Sequence, residues 1–444
     1  MKKVITYGTY DLLHYGHIKL LERAKALGDY LIVGVTADDF DKTRGKINVQ
    51  QSLMERVEAV RATGIADEII IEEYEGQKID DILKYDIDIF TVGSDWSGKF
   101  DYLKEYCQVV YLDRTKGVSS SEIRSEKRLV KLGFVGDSIV IDKFLKESEY
   151  VNGIRAEAIY TNSKRKIGVR KVDSFEELLN IVDAIYVFSK PENHYIQIKK
   201  ALLNGKHVLC ETPISLMNKQ SEELHKLAEE KGCILMDSIK TAYSTAYERM
   251  VLLAKGGKIG KVVSIDAVAT SLRDVELIEE NKVDGTWNSI NAWGPTAMLP
   301  IFQILGTNYK EKRIISKMLN DTFDIFTKID FIYNSAVATI KVGKGVKSEG
   351  ELVISGTKGY IYVPAPWWKT DYFEIRYENS SENQRYFYQL DGEGIRYELV
   401  AFLKAIETGK NRSYVSRDIS NTICKVIEDF YNKDDFIELE CNKY

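Results

Sequence analysis

Residues 7–17 read Tyr7-Gly8-Thr9-Tyr10-Asp11-Leu12-Leu13-His14-Tyr15-Gly16-His17, directly after the apolar run Val4-Ile5-Thr6-Tyr7. The apolar run reads as a short buried strand. Gly8 at its end allows a tight turn and lets a phosphate approach the backbone. His14 and His17 are three apart, so a helix opening here carries both imidazoles on one face, one turn from each other. Two imidazoles beside a helix N-terminus suit a triphosphate better than a core, and the chemistry implied is nucleotidyl transfer. In such a transfer a substrate phosphate attacks the α-phosphorus of a nucleoside triphosphate in line and pyrophosphate leaves. The protein's part is mainly to position the reactants and neutralise charge building on phosphoryl oxygens.

A chain of 444 residues exceeds one ordinary core and implies two or three domains. With 29% charged and 44% apolar residues the composition is globular. A run of about 18 apolar residues is missing, so no membrane span is expected. Met1-Lys2-Lys3 enters a strand too brief for the apolar core of a signal peptide. Five scattered cysteines, Cys107, Cys210, Cys233, Cys424 and Cys441, form no Cys-x-x-Cys pair and suggest neither zinc nor a disulfide framework. A cytoplasmic protein is expected. The net charge of −5 gives no broad basic field for nucleic acid, so anion sites must be local.

Strand and helix patterns alternate through the first third. Asp29 to Val35, Ile69 to Ile71, Ile87 to Val92 and Val109 to Leu112 read as buried strands, and Ser52 to Thr63 as a helix. That alternation predicts a doubly wound parallel sheet. The pattern resets near Glu126 to Val130. Lys131-Leu132-Gly133-Phe134-Val135-Gly136-Asp137-Ser138 then reads as a strand and glycine turn, with helix from Ile141 to Glu147, the opening of a dinucleotide-binding unit. Anchored on Gly136, that fingerprint is imperfect: Ser138 replaces the second glycine and Ile141 fills the last position.

The stretch GTYDLLHYGHIKLLERAKALGD resembles the HxGH nucleotidyltransferases, and most closely the glycerol-3-phosphate cytidylyltransferases of bacterial wall and capsule synthesis. Arg114-Thr115-Lys116-Gly117-Val118-Ser119-Ser120-Ser121 resembles the second motif of that family. The resemblance covers residues 1–126 and implies CTP as substrate, with Mg²⁺ held largely by its phosphates and water. It implies catalytic roles for His14, His17, Lys46 and Arg114. It places Gly8, Thr9, Tyr10, Asp11, Gly16, Arg56, Asp95, Thr115, Ser119 and Ser120 around the nucleotide. Serines at the start of a helix supply a cap, hydroxyl donors and free amides for phosphates. Trp96 stays open between a core residue and a base-stacking platform.

The second part resembles the Gfo/Idh/MocA oxidoreductases over residues 131–440. The resemblance rests on VDAIYVFSKPENH (182–194), LNGKHVLCETP (203–213), ELVISGTKGYIYV (351–363), the helix Arg396 to Gly409 and the closing helix Ser420 to Tyr431. It implies a Rossmann domain to about residue 250, then an open, mostly antiparallel sheet with helices on one face. It places Gly136, Ser138, Lys190, Pro191, His194, Glu211 and Pro213 at the dinucleotide. The chain departs from that family in two places. Glu211-Thr212-Pro213 lacks the lysine of the family's Glu-Lys-Pro, and Asn291-Ala292-Trp293-Gly294-Pro295-Thr296 offers Ala292 and Thr296 in place of the family's Asp and His. A threonine hydroxyl is a poor general acid. If the acid has moved, Lys240, desolvated in the cleft, is the expected donor, with Tyr243 on the same helical face as its partner. The run Thr161-Asn162-Ser163-Lys164-Arg165 after the strand ending at Tyr160 carries no acid for ribose hydroxyls and two cations, which favours NADPH over NADH.

The expected organisation is thus an α/β chain of three domains. Residues 1–127 are a doubly wound cytidylyltransferase domain and 128–250 a Rossmann domain. Residues 251–444 are an α+β open-sheet domain whose C-terminal helices return to the Rossmann part. The expected function is bifunctional: CMP transfer from CTP to a ketose or polyol phosphate, and reduction of the carbonyl with NADPH, giving a CDP-polyol for a surface polymer. A homodimer or higher homo-oligomer is expected, with no nucleic-acid or membrane partner. Two alternatives stand beside it: a cytidylyltransferase with a non-catalytic dimerisation domain, and a nucleotide-sensing protein with neither activity.

Overall fold

The computed structural model describes residues 1–37, 49, 51–74, 76–113, 129–151, 153–272, 275–280, 282–283, 285, 287–388, 390–411 and 413–440. They divide into two compact units, residues 1–129 and 130–444.

In the first unit, strands β1 (Lys3–Gly8), β2 (Tyr30–Thr36), β3 (Glu68–Glu72), β4 (Ile89–Gly93) and β5 (Gln108–Leu112) form a parallel sheet of order β3-β2-β1-β4-β5. Alternation along these strands feeds both faces, as a covered parallel sheet requires. Val4, Leu31 and Val33 pack on one side with Val57 and Val60; Ile5, Ile32 and Phe90 pack on the other with Ile82 and Leu103. Among the described residues the helices are α1 (Tyr15–Lys25), α2 (Leu53–Ala62) and α3 (Gln77–Tyr85). Ser52 and Glu55 cap α2 reciprocally, which fixes its start one residue inside the expected Ser52. The strand order reverses between β1 and β4. A crevice at the carboxyl ends of the two strands flanking such a switch is where open α/β sheets take ligands.

The second unit opens with another parallel sheet: β6 (Val130–Val135), β7 (Ile154–Tyr160), β8 (Arg170–Lys171), β9 (Ala184–Val187), β10 (His207–Glu211) and β11 (Leu235–Ser238), in the order β11-β10-β9-β6-β7-β8. Helices α4 (Val140–Ser148), α5 (Phe175–Ile181), α6 (Pro191–Leu203) and α7 (Asn218–Glu230) connect its strands. A mixed sheet follows α8 (Thr245–Lys255). Its strands are β12 (Val262–Thr270), β13 (Glu311–Met318), β14 (Asp324–Ile332), β15 (Val337–Gly343), β16 (Leu352–Gly356), β17 (Tyr360–Val363), β18 (Tyr372–Arg376), β19 (Gln384–Phe387) and β20 (Phe436–Glu438). Among the described residues their order is β19-β18-β17-β16-β12-β15-β14-β13-β20, antiparallel except for β12 with β15 and β13 with β20. The short helix α9 (Val275–Glu279) precedes α10 (Ser289–Leu305), which lies on β12, β14 and β15.

Helices α11 (Ile395–Thr408) and α12 (Arg417–Asn432) run back onto the parallel-sheet layer. On α12, Asn421 accepts from Ser221 of α7 at 2.6 Å and Ser420 donates to Asp237 of β11 at 3.0 Å. Arg396 of α11 pairs with Glu147 of α4. These ties explain why the two sheets form one unit.

Candidate functional site

In the first unit His14 caps α1 in an extended conformation, its Nδ1 accepting the Gly16 N–H at 3.1 Å. Because Nδ1 accepts, a neutral ring carries its proton on Nε2, which is then the donor atom. The His14 and His17 rings stack with centroids 3.9 Å apart. Tyr10 is buried, its ring edge-on to His17 at 5.6 Å and beneath Gly8, where an added Cβ would lie 3.0 Å from it. Tyr10 and Leu12 both take positive φ, 53° and 48°, so the loop is sharply wound before the helix. Asp11, also buried, accepts the Gln51 N–H at 3.0 Å, while Gln51 accepts the Leu12 N–H at 2.8 Å.

Arg56 is fully buried and donates to the carbonyls of Thr9 (2.6 Å), Thr36 (2.8 Å) and Gln51 (3.2 Å). It ties the β1 loop to the end of β2, so the structure makes it a positioning residue rather than the nucleotide contact expected of it. Asp95 is exposed on the turn after β4. Trp96 is half-buried, 5.8 Å from Phe100, with the Lys99 ammonium 4.9 Å above its ring. Lys46, Arg114, Thr115, Ser119 and Ser120 lie outside the described residues.

In the second unit a pocket of about 600 Å³ opens at the carboxyl ends of β6, β7 and β9. Gly136, Asp137 and Ser138, then Thr161 and Asn162, then Ser189 and Lys190 line it in turn. Gly136 has φ of 142°, and an added Cβ would meet the backbone of Phe188 and Ser189 at 2.7 Å. This is a cradle only glycine can make. Asp137 Oδ1 accepts from the Thr161 hydroxyl and the Asn162 N–H, each at 2.7 Å. Partial burial pushes its carboxyl up, and these hydrogen bonds outweigh it and hold it below the usual value. Ser163, Lys164 and Arg165 follow on the surface just beyond the lining; Arg165 pairs with Asp142 at 2.9 Å.

Three expected roles change in this unit. His194 is fully buried, its Nδ1 2.7 Å from the Pro213 carbonyl and Nε2 2.8 Å from the Ser189 carbonyl, and burial lowers its pKa. It braces two loops instead of touching cofactor; Pro191 and Pro213 are buried beside it, outside the pocket lining. Tyr243 is also buried, its hydroxyl 2.8 Å from Ser413 Oγ and its ring against Tyr414, so it does not partner Lys240. Lys240 begins a single 3₁₀ turn (Lys240–Tyr243); it is about a third exposed and paired with Glu393 at 2.9 Å, not desolvated.

Glu211 ends β10 and accepts from the Tyr186 hydroxyl. Its carboxyl is pushed up by burial against the pull of that hydrogen bond and of Lys240. Sequence reasoning missed Glu398 on α11, fully buried with Oε2 accepting from Ser238 at 3.0 Å. Burial, then the Glu211 charge, raises its pKa well above the usual range. The readable signal was a carboxylate within the apolar stripe Ile395, Leu399, Phe402 of an amphipathic helix. Among the described residues no group of three or more acids, histidines and cysteines could hold a metal ion.

A stacked imidazole pair, one of them capping its helix at a sheet switch point, followed in the same chain by a dinucleotide-type cradle, defines a nucleotidyltransferase domain joined to a Rossmann-type domain. Comparison agrees. Residues 5–126 match the cytidylyltransferase-like family, and residues 150–238 match the oxidoreductase family with an NAD-binding Rossmann fold. Glycerol-3-phosphate cytidylyltransferase of Bacillus spizizenii is 54% identical over 126 residues, 28% of this chain and 97% of that protein. The NADP(+) scyllo-inositol 2-dehydrogenase of Bacillus subtilis is 25% identical over 132 residues, 28% of this chain and 40% of that protein. A 3-ketoreductase of Actinomadura kijaniata, solved with NADP and TDP-benzene, superimposes with a TM-score of 0.60 at 17% identity, covering 70% of this chain and 99% of that one. That last likeness establishes fold. Through its first unit the chain belongs to the glycerol-3-phosphate cytidylyltransferase family, and it carries an oxidoreductase-family domain behind it.

Proposed function

We propose that the chain is a bifunctional enzyme that transfers CMP from CTP to a ketose or polyol phosphate and reduces the carbonyl with NADPH, yielding a CDP-polyol for a surface polymer. The observation that carries this reading is the Gly136 cradle: a turn with no room for a side chain, over a pocket of dinucleotide size, in a chain that already bears a cytidylyltransferase domain. In the first reaction a substrate phosphate oxygen bonds to the α-phosphorus of CTP and the bond to pyrophosphate breaks. His14, through Nε2–H, and His17 stabilise charge on the phosphoryl oxygens. Mg²⁺ accompanies CTP, held by phosphate oxygens and water.

NADPH, when bound, supplies the hydride. Gly136 and the start of α4 receive its pyrophosphate; Thr161 and Asn162, with Lys164 and Arg165 beyond them, receive the adenosine ribose phosphate. Lys240 supplies the proton to the nascent alkoxide. The Actinomadura enzyme's nucleoside diphosphate ligand supports a nucleotide-linked substrate for this unit.

The test is NADPH absorbance over time with CTP, a ketose phosphate and NADPH together, against omission of each. Oxidation that requires a ketose substrate supports the reading. If no ketose phosphate or CDP derivative is ever reduced, the second unit is a non-catalytic partner of the transferase.

A further inference from the structure

Three lysines from separate elements of the second unit converge on one carboxylate. Glu393 accepts from Lys143 of α4 at 3.0 Å, from Lys369 in the turn before β18 at 2.8 Å, and from Lys240 at 2.9 Å. The cluster is open to solvent: Lys143 is 58% exposed, Lys369 37%, Lys240 30% and Glu393 31%. Burial pushes the Glu393 carboxyl up, and the hydrogen bonds from the three ammonium groups outweigh it and hold it well below the usual range.

The segment that presents it, Asp391–Gly394, is wound in the left-handed region, with φ of 56° at Gly392, 55° at Glu393 and 91° at Gly394. A glutamate is rarely found there. A single ion pair needs one cation. Three around one carboxylate leave excess positive charge, an arrangement that fits a phosphoryl group with several oxygens and up to two charges better than it fits a monoanion. Lys240 is within electrostatic reach of Glu211 at the end of β10. The cluster therefore sits by the carboxyl ends of the parallel strands, where ligands enter such sheets.

We propose that Lys143 and Lys369 form the phosphoryl-binding site of the second unit, beside Lys240, which faces the carbonyl, and that Glu393 is an internal stand-in which the phosphorylated substrate displaces. The assignment rests on reading this unit as acting on a phosphorylated ketose, whether a monophosphate or its CDP ester. The Glu393 carboxylate then competes with substrate and partly offsets the mutual repulsion of the lysines in its absence.

Inorganic pyrophosphate is the probe, titrated calorimetrically into the full chain and its variants. The cytidylyltransferase unit and the Gly136 cradle contribute a background common to the Glu393 and Lys369 variants, so differences between these read this site. Glu393→Gln removes the competitor and should tighten binding about threefold to fivefold, the size expected for partly exposed charge pairs. Lys369→Met and Lys143→Met should each weaken it about tenfold. Should Lys369→Met not fold, Glu393→Gln decides. Unchanged or weaker binding by Glu393→Gln overturns the proposal.

A second arm identifies the source of the phosphate. A KM that falls in Glu393→Gln for either the ketose monophosphate or the CDP-ketose supports the site and names its ligand; a KM unmoved for both opposes it. Complete absence of NADPH oxidation sinks the reductase reading alone, because the pyrophosphate titration still decides the site.

Discussion

Replacing Gly136 by alanine attacks the second unit at one carbon atom. The added Cβ would lie 2.7 Å from the Phe188 carbonyl carbon and oxygen and from the Ser189 nitrogen, closer than real Cβ contacts. These are backbone atoms at the end of β9 and cannot rotate away. The φ of 142° adds strain of about 1–3 kcal/mol for any L side chain. Forcing a methyl into occupied space costs about 1–3 kcal/mol more. The total is on the order of 4 kcal/mol, a large share of the roughly 5–15 kcal/mol that holds a domain folded. Gly168→Ala is the control, since nothing lies within 4 Å of its added Cβ and its φ is not positive. Urea unfolding, followed with a probe in each unit, should show the second unit's transition shifted by Gly136→Ala and not by Gly168→Ala. NADPH titration should show affinity lost at least tenfold in Gly136→Ala. CMP transfer should stay intact, as that chemistry belongs to another compact unit. A Gly136→Ala protein with wild-type unfolding and wild-type NADPH affinity would refute both the cradle and the strain argument.

Further outcomes follow from the same geometry. His14→Ala and His17→Ala should each cut pyrophosphate release by about two to three orders of magnitude with folding retained, as for lost transition-state donors; near wild-type release by either would remove that residue from the site. NADPH should bind more tightly than NADH, with Lys164→Ala plus Arg165→Ala narrowing the gap; equal affinities in the unmutated protein would contradict the ribose-phosphate assignment. Lys240→Met should lower reduction by about two orders of magnitude, as for loss of a general acid, and leave CMP transfer alone; a normal reduction rate would put the donor elsewhere. Asp237, buried in the second unit, has its pKa pushed up to about 7 by burial. The folded state therefore holds this proton more tightly than the unfolded state, so the second unit should lose stability as pH rises from about 4 to 7, by up to the order of 4 kcal/mol. Asp237→Asn should flatten that slope in urea midpoints at pH 5 and pH 8; an unchanged slope would show that the group titrates normally.

The doubly wound first sheet was legible because buried parallel strands are short apolar runs. Each expected strand there coincides with an observed one to within a few residues. The turn at Gly136 was legible too, although Ser138 spoils the fingerprint, because one glycine carries the steric demand. What the sequence hid was long-range. His194 and Arg56 look like ligands in a linear motif, yet their partners are carbonyls from segments up to 47 residues away. Lys240 and Tyr243 are three apart, but their partners are Glu393 and Ser413, 153 and 170 residues on. Glu393 stands in an Asp-Gly-Glu-Gly run that reads as an ordinary turn; only the fold brings three lysines to it.

The central claim is that one chain couples cytidylyl transfer to carbonyl reduction. Its most direct test supplies the protein with CTP, a ketose phosphate and NADPH deuterated at the transferable position, then resolves the products by mass. The account predicts a CDP-linked polyol carrying one deuterium, with pyrophosphate and NADP⁺ formed in equal amounts. A CDP-linked product without deuterium, accumulating while NADPH stays intact, would contradict it.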